Sequence, residues 1–478
     1  MKKEIMEKAL DYIGDEKIAE ALVEKKKRHS FRWVSAMAAV LAIAVTAGIL
    51  LWPAAPATPQ QEPAAPKTAA GLLAAPVYPQ MAAYPADFTE DFTAYDAWWE
   101  SQQNQYDQPL GYGDDLYSFY QKSIPVFLEN TQGNIAYSPA NVYMALAMLA
   151  ETAGGNTRQQ ILTLLNKSDI DTLRTQARYL WNAHYCDDKA TTLLLANSLW
   201  LDNAFAYKAS TADTLADSYY ASVYAGDLGS DEMNKLLQDW LNDNTGGLLK
   251  EQTSNQKLDP QTLMALASTI YYKVKWSNEF WENMNTQDVF HAPSGDKTVT
   301  YMNTTMTYGP YYHGEDYGAV SLRLEDGGRM WLILPDEGYT PADILRSGHA
   351  VQELLVAGEP TNGSTAMVNL SLPKFDITSG KDIAPALKAL GITDAFDVST
   401  ADFSGITNDA LFLTGADHAV RVKIDEKGLE AAAYTVMMAA GAALPPDEQI
   451  DFILDRPFLF MVESSTDVPL FTGIVNEP

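Results

Sequence analysis

The side chains that most often carry enzymatic chemistry are scattered along this chain. Its six histidines stand at positions 29, 184, 291, 313, 349 and 418, and none belongs to an H-E-x-x-H zinc motif. No serine lies in a G-x-S-x-G turn, and no G-x-x-x-x-G-K-[ST] phosphate loop occurs. Cys186, the one cysteine, follows His184 by two residues, and side chains at that spacing rarely face each other. An enzyme is therefore possible but unsupported, and we expect no catalytic residue, no metal and no cofactor. A glycosidase pair among the many carboxylates stays open as an alternative.

The most informative segment covers residues 424–444 and reads IDEKGLEAAAYTVMMAAGAAL. Alanine, glutamate and methionine are strong helix formers, so a surface helix is one interpretation. Gly428 and Gly441 bracket the run, and Pro445 and Pro446 end it. A strand-like alternation of Val420, Val422 and Ile424 precedes it, which is not how a helix usually begins.

The order Glu426, Lys427, Gly428, any residue and Glu430, followed by three alanines, resembles the hinge of a serpin reactive-centre loop. Other stretches resemble this family in the same order along the chain: NIAYSP at 134–139, LANSLWL at 195–201, ALASTIYYKVKW at 265–276, LPKFDI at 372–377, FSGI at 403–406 and FTG at 471–473. Ser268 and Thr269 depart from the family's usual residues. The resemblance covers about residues 110–478 and implies an α+β serpin fold, with three β-sheets surrounded by about eight to nine helices.

The resemblance implies a suicide substrate whose loop becomes an extra strand of its own sheet. Because a strand has a period of two, alternate hinge residues point into the core. The inward set is Leu429, Ala431, Ala433 and Thr435, and the outward set is Glu430, Ala432, Tyr434 and Val436. No charge and no proline falls in the inward set, so insertion is physically allowed, although Leu429 is larger than the family's usual residue.

Counting from Gly428 in the family pattern, the bond to be cleaved is Ala442–Ala443, or Ala443–Leu444 with a slip of one residue. A small apolar residue suits a shallow apolar pocket, so the predicted partner is an elastase-like or subtilisin-like serine protease. An alanine in a trypsin-like pocket would leave the buried acid of that pocket unpaired, so trypsin-like proteases are expected to be poor targets.

The resemblance also assigns residues to the region where the sheet opens. Lys374 is expected to pair with Glu426 close to Trp276. His418 is expected to lie near Ser138 in the gate through which the loop passes. A satisfied core histidine and solvated surface charges are the structural alternatives.

The composition limits the class of partner. The chain has 478 residues, a net charge of -29 and a hydrophobic fraction of 47%, which is ample for a folded core. A phosphate backbone would be repelled, so no nucleic acid is expected. A single cysteine excludes intramolecular disulfides and cysteine-rich zinc sites. The predicted inhibitor is a monomer.

The N-terminal part predicts a membrane anchor. Trp33–Trp52 contains no charge and no proline, and as a helix it would measure about 30 Å, the thickness of a hydrocarbon core. The basic run at 25–28 precedes it, which places residues 1–32 in the cytoplasm. A cleaved signal peptide is the alternative.

These inferences divide the chain into a cytoplasmic stub at 1–32, a transmembrane helix at 33–52, a Pro/Ala-rich and acidic-aromatic stalk at 53–113, and a serpin domain at 114–478. The predicted location is a bacterial cell membrane with the domain outside. A non-inhibitory serpin-fold binding protein and an unrecognised hydrolase are the two rival functions.

Overall fold

The computed structural model describes residues 71–85, 91–129, 133–250, 257–258, 261–357, 363–429 and 448–478. All of these residues fall in one compact unit. The predicted stub and transmembrane helix, at 1–32 and 33–52, lie outside the described residues. Among the residues described, no helix has the length and apolar character needed to cross a membrane.

Helices predominate in the first half of the described chain. The α-helices are α1 (Phe92–Ser101), α2 (Gln103–Tyr106), α3 (Leu116–Phe127), α4 (Pro139–Thr152), α5 (Gly155–Leu164), α6 (Ile170–His184), α7 (Ala209–Tyr219), α8 (Asp231–Asp243), α9 (Pro341–Ser347), α10 (His349–Ala357) and α11 (Ala384–Ala389). Short 3-10 helices occur at Glu282–Met284 and Asp394–Phe396. The described residues thus contain eleven α-helices rather than the eight to nine expected.

The first sheet has eight strands in the order β1-β5-β4-β6-β14-β13-β12, and β3 pairs with β4. Its strands are β1 (Gly71–Ala74), β3 (Cys186–Asp187), β4 (Thr192–Asp202), β5 (Ala221–Gly226), β6 (Met264–Lys275), β12 (Asp376–Asp382), β13 (Asp417–Asp425) and β14 (Gly428–Leu429). Helix α4 is almost wholly buried, and its residue Asn141 hydrogen-bonds to Ser268 of β6. Small residues at many α4 positions allow this close approach to the sheet.

The second sheet has nine strands in the order β15-β11-β8-β9-β10-β16-β17-β2, and β7 pairs with β8. Its strands are β2 (Ile135–Tyr137), β7 (Thr286–Ala292), β8 (Gly295–His313), β9 (Tyr317–Arg323), β10 (Arg329–Pro335), β11 (Ser364–Pro373), β15 (Gln449–Ile453), β16 (Phe458–Glu463) and β17 (Pro469–Val475). The expectation of three sheets is therefore wrong for the described residues. The reason is the 19-residue strand β8, which pairs with β7 and β11 along most of its length and with β9 at its end.

The prediction that residues 53–113 form a stalk without a core is wrong for 71–85 and 91–113. Strand β1 pairs antiparallel with β5 at the edge of the first sheet. Tyr78 then stacks on the Trp181 ring with centroids 5.3 Å apart, and the Trp98 Nε1–H donates to Asp188 Oδ2 over 2.8 Å. These contacts bury apolar and aromatic surface that composition alone had assigned to a solvated spacer.

Candidate functional site

Strand β14 seats the first two hinge residues between two strands of the first sheet. It pairs with Ile424 and Asp425 of β13 on one side and with Val274 and Lys275 of β6 on the other. At Gly428 the φ angle is 153°, and a Cβ there would come within 2.2 Å of the Val274 carbonyl oxygen. Only glycine tolerates this approach, so β14 requires glycine at position 428.

Beyond Leu429, the described residues place no further strand between β6 and β13, which are joined to each other through β14. A small cavity lies there, lined by Ile270 and Tyr272 of β6, by the β13 residues at 421–423 and by Leu429. Leu429 is itself buried, so the large residue at this position is accommodated. The other hinge residues (Glu430, Ala431, Ala432, Ala433 and Thr435) and the predicted reactive bond at Ala442 and Ala443 lie outside the described residues.

Glu426 is held by two side chains just before the hinge. Its Oε1 accepts hydrogen bonds from Lys374 Nζ and, over 2.5 Å, from Asn285 Nδ2. The Glu426 residue is only 7% exposed. Burial alone would raise the pKa of this carboxyl, but the hydrogen bonds from Lys374 and Asn285 lower it below its ordinary value. Glu426 is therefore an anion fixed at the end of β13.

Trp276 fixes the backbone of the same turn. Its indole Nε1–H donates to the Asp425 carbonyl over 2.9 Å, and its backbone N–H donates to the Lys427 carbonyl over 2.9 Å. The Phe280 N–H donates to the Glu426 carbonyl over 2.8 Å. With Trp276 only 1% exposed, these bonds close the sheet at the point where the hinge enters it.

His418 and Ser138 meet farther down the same sheet. The Ser138 backbone N–H donates to His418 Nε2 over 3.1 Å, so this nitrogen carries no proton. Burial lowers the pKa of His418 to about 4, and the ring packs edge-on against Tyr137. Ser138 also caps α4 by accepting from the Asn141 N–H. One neutral imidazole thus links β13 to the start of the buried helix.

A sequence model of the serpin (serine protease inhibitor) family matches residues 120–478. The chain belongs to the serpin family.

This serpin is 29% identical to alpha-1-antiproteinase of Rattus norvegicus over 409 residues, which cover 81% of this chain and 94% of the relative. The native stressed conformation of Arabidopsis AtSerpin1 matches with a TM-score of 0.68 and 26% identity, covering 77% of this chain and 99% of that one. The complex of thyroxine-binding globulin with thyroxine matches with a TM-score of 0.66 and 23% identity, covering 76% and 99% of the two chains, a likeness of fold alone. Relatives also include a protein of the archaeon Thermococcus kodakarensis, so the bacterial source stays a prediction.

The structure of this serpin adds polar residues that the sequence reasoning missed. Asn285 was not identified, although it shares Oε1 of Glu426 with Lys374. Ser268 was noted only as a departure from the family, yet its hydroxyl lies between the side-chain oxygens of Asn141 and Asn197. It therefore ties β6 to helix α4 and to β4. The unusual residue at position 268 could have indicated these contacts, because a hydroxyl on a buried strand needs hydrogen-bond partners.

Cys186 and His184, the pair considered for thiol chemistry, are both buried and have structural roles in this serpin. Burial raises the pKa of Cys186 well above its usual range. His184 Nδ1 lies 2.6 Å from the Leu180 carbonyl oxygen and Nε2 lies 2.9 Å from Ser464 Oγ. Burial lowers the pKa of His184 to about 4. Neither side chain is placed to activate the other.

Proposed function

We propose that this serpin is a suicide substrate that traps a serine protease as a covalent acyl-enzyme. The observation that carries the proposal is β14, which seats Gly428 and Leu429 between β6 and β13 with a cavity ahead of Leu429. A hinge in this position provides the first step of strand addition, and the residues that follow it in sequence include no inward charge or proline.

The covalent step uses the protease's own catalytic groups. The serine oxygen of the protease attacks the carbonyl carbon of Ala442 and forms an ester. The bond from this carbon to the Ala443 nitrogen breaks, and the protease's histidine delivers the proton to the new amino terminus. Insertion of the hinge then carries the esterified protease away from the loop's original position, and its active site is distorted. This chain contributes no catalytic group.

The proposed target has a shallow apolar pocket, as elastase-like and subtilisin-like proteases do. Ala442 would fill such a pocket, whereas the buried acid of a trypsin-like pocket would be left unpaired. The name of the rat relative, alpha-1-antiproteinase, supports protease inhibition in general. The proposed inhibitor acts as a monomer.

The proposed location follows from residues 33–52, whose uncharged run and basic flank suit a single-pass anchor. The inhibitor domain then lies outside the cell and residues 1–32 lie inside. Protease treatment of intact cells is expected to remove the domain and spare the stub. A mature form in the medium that begins near residue 57 would contradict anchoring.

A second candidate function is a non-inhibitory serpin that binds a ligand or a surface. The fold similarity to thyroxine-binding globulin in complex with thyroxine supports this alternative, because that protein with the same fold binds a small ligand.

One experiment separates the two functions. The full chain is incubated with an elastase, a subtilisin and trypsin, and the products are analysed on denaturing gels and by mass spectrometry. Inhibition predicts an SDS-stable complex with the first two proteases and a released peptide that begins at Ala443. Cleavage without a covalent complex would exclude trapping, and repeated turnover of a substrate would support the hydrolase instead.

A further inference from the structure

A partly exposed row of aromatic side chains runs along the segment that precedes the family match. Trp98 contacts Tyr84, Tyr95 and Trp99 with ring centroids 5.0, 5.5 and 6.2 Å apart, and Trp99 stacks on Tyr106 at 5.2 Å. We call these five residues the aromatic ridge. Because each ring touches the next, the ridge is one continuous surface formed by helices α1 and α2 and by Tyr84 from the segment before α1.

Only part of the ridge is needed to hold the segment in place. Trp98 is the anchor, since its N–H donates to Asp188 and the neighbouring Tyr84 N–H donates to the Asp188 carbonyl. Trp99 and Tyr106 remain 43% and 55% exposed. Phe92, which lies two helical turns before Trp99 on the same face of α1, is 68% exposed. Contiguous exposed aromatic side chains are typical of binding surfaces, where they supply most of the affinity.

The charge around the ridge selects the kind of partner. Residues 71–113 contain six acidic residues and no lysine, arginine or histidine. Asp96, Glu100 and Asp107 are exposed beside the rings. Carboxylates next to open aromatic faces attract guanidinium and ammonium groups through ion pairs and cation–π contacts. An anionic partner would be repelled, and the net charge of -29 strengthens that repulsion.

The ridge lies at the end of the first sheet where the hinge enters. Asp188, which holds Trp98, follows β3, and β3 pairs with the first residues of β4. Thr192 at that end of β4 is opposite Lys273 of β6, two residues before the partner of Gly428. Partial burial, together with the nearby Cys186 and Asp326, raises the pKa of Tyr106.

The turn that contains Asp326 is bonded to the same end of β6. The Tyr272 hydroxyl donates to Asp326 Oδ2 over 2.6 Å, and the Glu325 N–H donates to the Lys275 carbonyl. Lys275 is the residue opposite Gly428. The ridge and the hinge thus share one end of one sheet.

We propose that the aromatic ridge is an exosite that binds a lysine- and arginine-rich surface of the target protease while its active site engages the loop. This proposal rests on the proposed inhibitory function. It adds a second source of specificity, which is the surface charge of the protease. Of two proteases with equally shallow pockets, the more cationic one is inhibited faster.

The test compares two ridge variants with a matched control. The double variant Trp99→Ala and Tyr106→Ala removes the open rings, and the double variant Asp96→Asn and Glu100→Gln removes two charges. Tyr339→Ala is the control, because Tyr339 is 49% exposed, similar to Trp99 and Tyr106. Tyr339 lies in the turn after β10, whereas Asp326 lies before the other end of that strand. Thermal unfolding of all three full-length variants confirms that they fold.

Two measurements use a cationic elastase. The first is its rate of association at low and at physiological salt. The second is equilibrium binding of the same elastase after its serine has been blocked with a sulfonyl group, so that no acyl-enzyme can form. We expect each ridge variant to reduce association and binding about tenfold at low salt and less at high salt, while Tyr339→Ala changes neither. When the lysines of the elastase are succinylated, the wild-type serpin should associate with it and bind it no better than the ridge variants do.

The outcomes separate the exosite from trapping. If covalent complexes form at unchanged rates with both ridge variants, the exosite is overturned and inhibition stands. If no protease forms a complex but the blocked elastase still binds through the ridge, inhibition fails and the cationic docking surface stands. Equal loss in the Tyr339 control would also overturn the proposal, since the effect would not belong to the ridge.

Discussion

Lys374 and Glu426 form an ion pair that joins the end of β11 to the residue two positions before the hinge glycine. The pair connects the two sheets beside β14, where we expect the first sheet to open. Glu426 is nearly buried, whereas the Lys374 side chain is 35% exposed, so the pair is partly screened by solvent.

Removing Lys374 should loosen this closure. Lys374→Met leaves Glu426 with Asn285 as its remaining side-chain donor, and we expect a loss of about 1–2 kcal/mol in the free energy of unfolding, below the range for fully buried pairs. Spontaneous polymerisation on warming should accelerate, because the hinge region opens more often. Light scattering at 45 °C measures this rate. Lys297→Met, which breaks an exposed pair with Glu477, is the control and should leave the rate unchanged.

Asn285 should be a second restraint on the same carboxylate. Asn285→Ala removes one hydrogen bond to Glu426 and should cost about 1–2 kcal/mol. Asn285→Asp should be worse, since it sets a second carboxylate against the first. Chemical denaturation compares the two variants. A smaller loss for the aspartate variant would show that the amide does not act through Glu426.

The buried histidines should make the domain sensitive to acid. The pKa of both His418 and His184 is lowered from 6.5 to about 4 in the folded protein, so the unfolded state binds more protons between these values. Stability is therefore fully present above pH 6.5 and is lost as pH falls toward 4, by at most about 3 kcal/mol per histidine.

His418→Gln keeps an acceptor for the Ser138 N–H and removes one titrating group. Its unfolding free energy should fall less steeply between pH 6.5 and 4 than that of the wild type. Parallel curves for the two proteins would mean that His418 is already protonated in the fold.

The inward and outward sets of the hinge can be tested with one residue pair. Ala433→Arg places a charge on an inward position and should convert the inhibitor into a substrate, because the buried side of the sheet rejects it. Ala432→Arg, one residue earlier and outward, should still trap protease. Gel quantification of complex against cleaved product gives the ratio. Leu429→Arg is less informative, since Leu429 is already buried before any cleavage.

Cleavage of the loop should stabilise the domain. A nick between Thr435 and Leu444 frees the hinge to fill the gap between β6 and β13, adding hydrogen bonds and apolar contacts of about 1 kcal/mol each. The melting temperature should rise by roughly tens of degrees. The nicked Ala433→Arg variant should show no such rise. An unchanged midpoint in nicked wild type would remove the trapping mechanism.

Most of the residues expected where the sheet opens could be identified from the sequence because they lie in motifs that resemble the serpin pattern. Trp276, Lys374 and Glu426 are brought together, as are His418 and Ser138. Asn285 escaped notice because a single amide in a short 3-10 connection has no periodicity or motif around it. Its role depends on a residue 141 positions away.

The N-terminal segment was misjudged for a different physical reason. Its four-residue strand is too short to show alternation, and its proline and alanine content is typical of a spacer. What orders it is a set of partners about 100 to 140 residues later, including Trp181, Tyr185 and Tyr220 around Tyr78. Tertiary contacts of this kind override local composition and leave no local signal.

Strand β1 also determines how this protein can aggregate. Without residues 71–74, the six-residue strand β5 would present its backbone N–H and C=O groups at an open sheet edge, a template for another chain. With β1 in place, the edge of the sheet formed by the described residues is only four residues long and includes a register shift, so it is a poor seed for fibre growth. Proteolytic removal of the chain up to residue 74 would therefore make the protein prone to aggregate through this sheet edge, even with the reactive-centre loop and the His418–Ser138 contact intact.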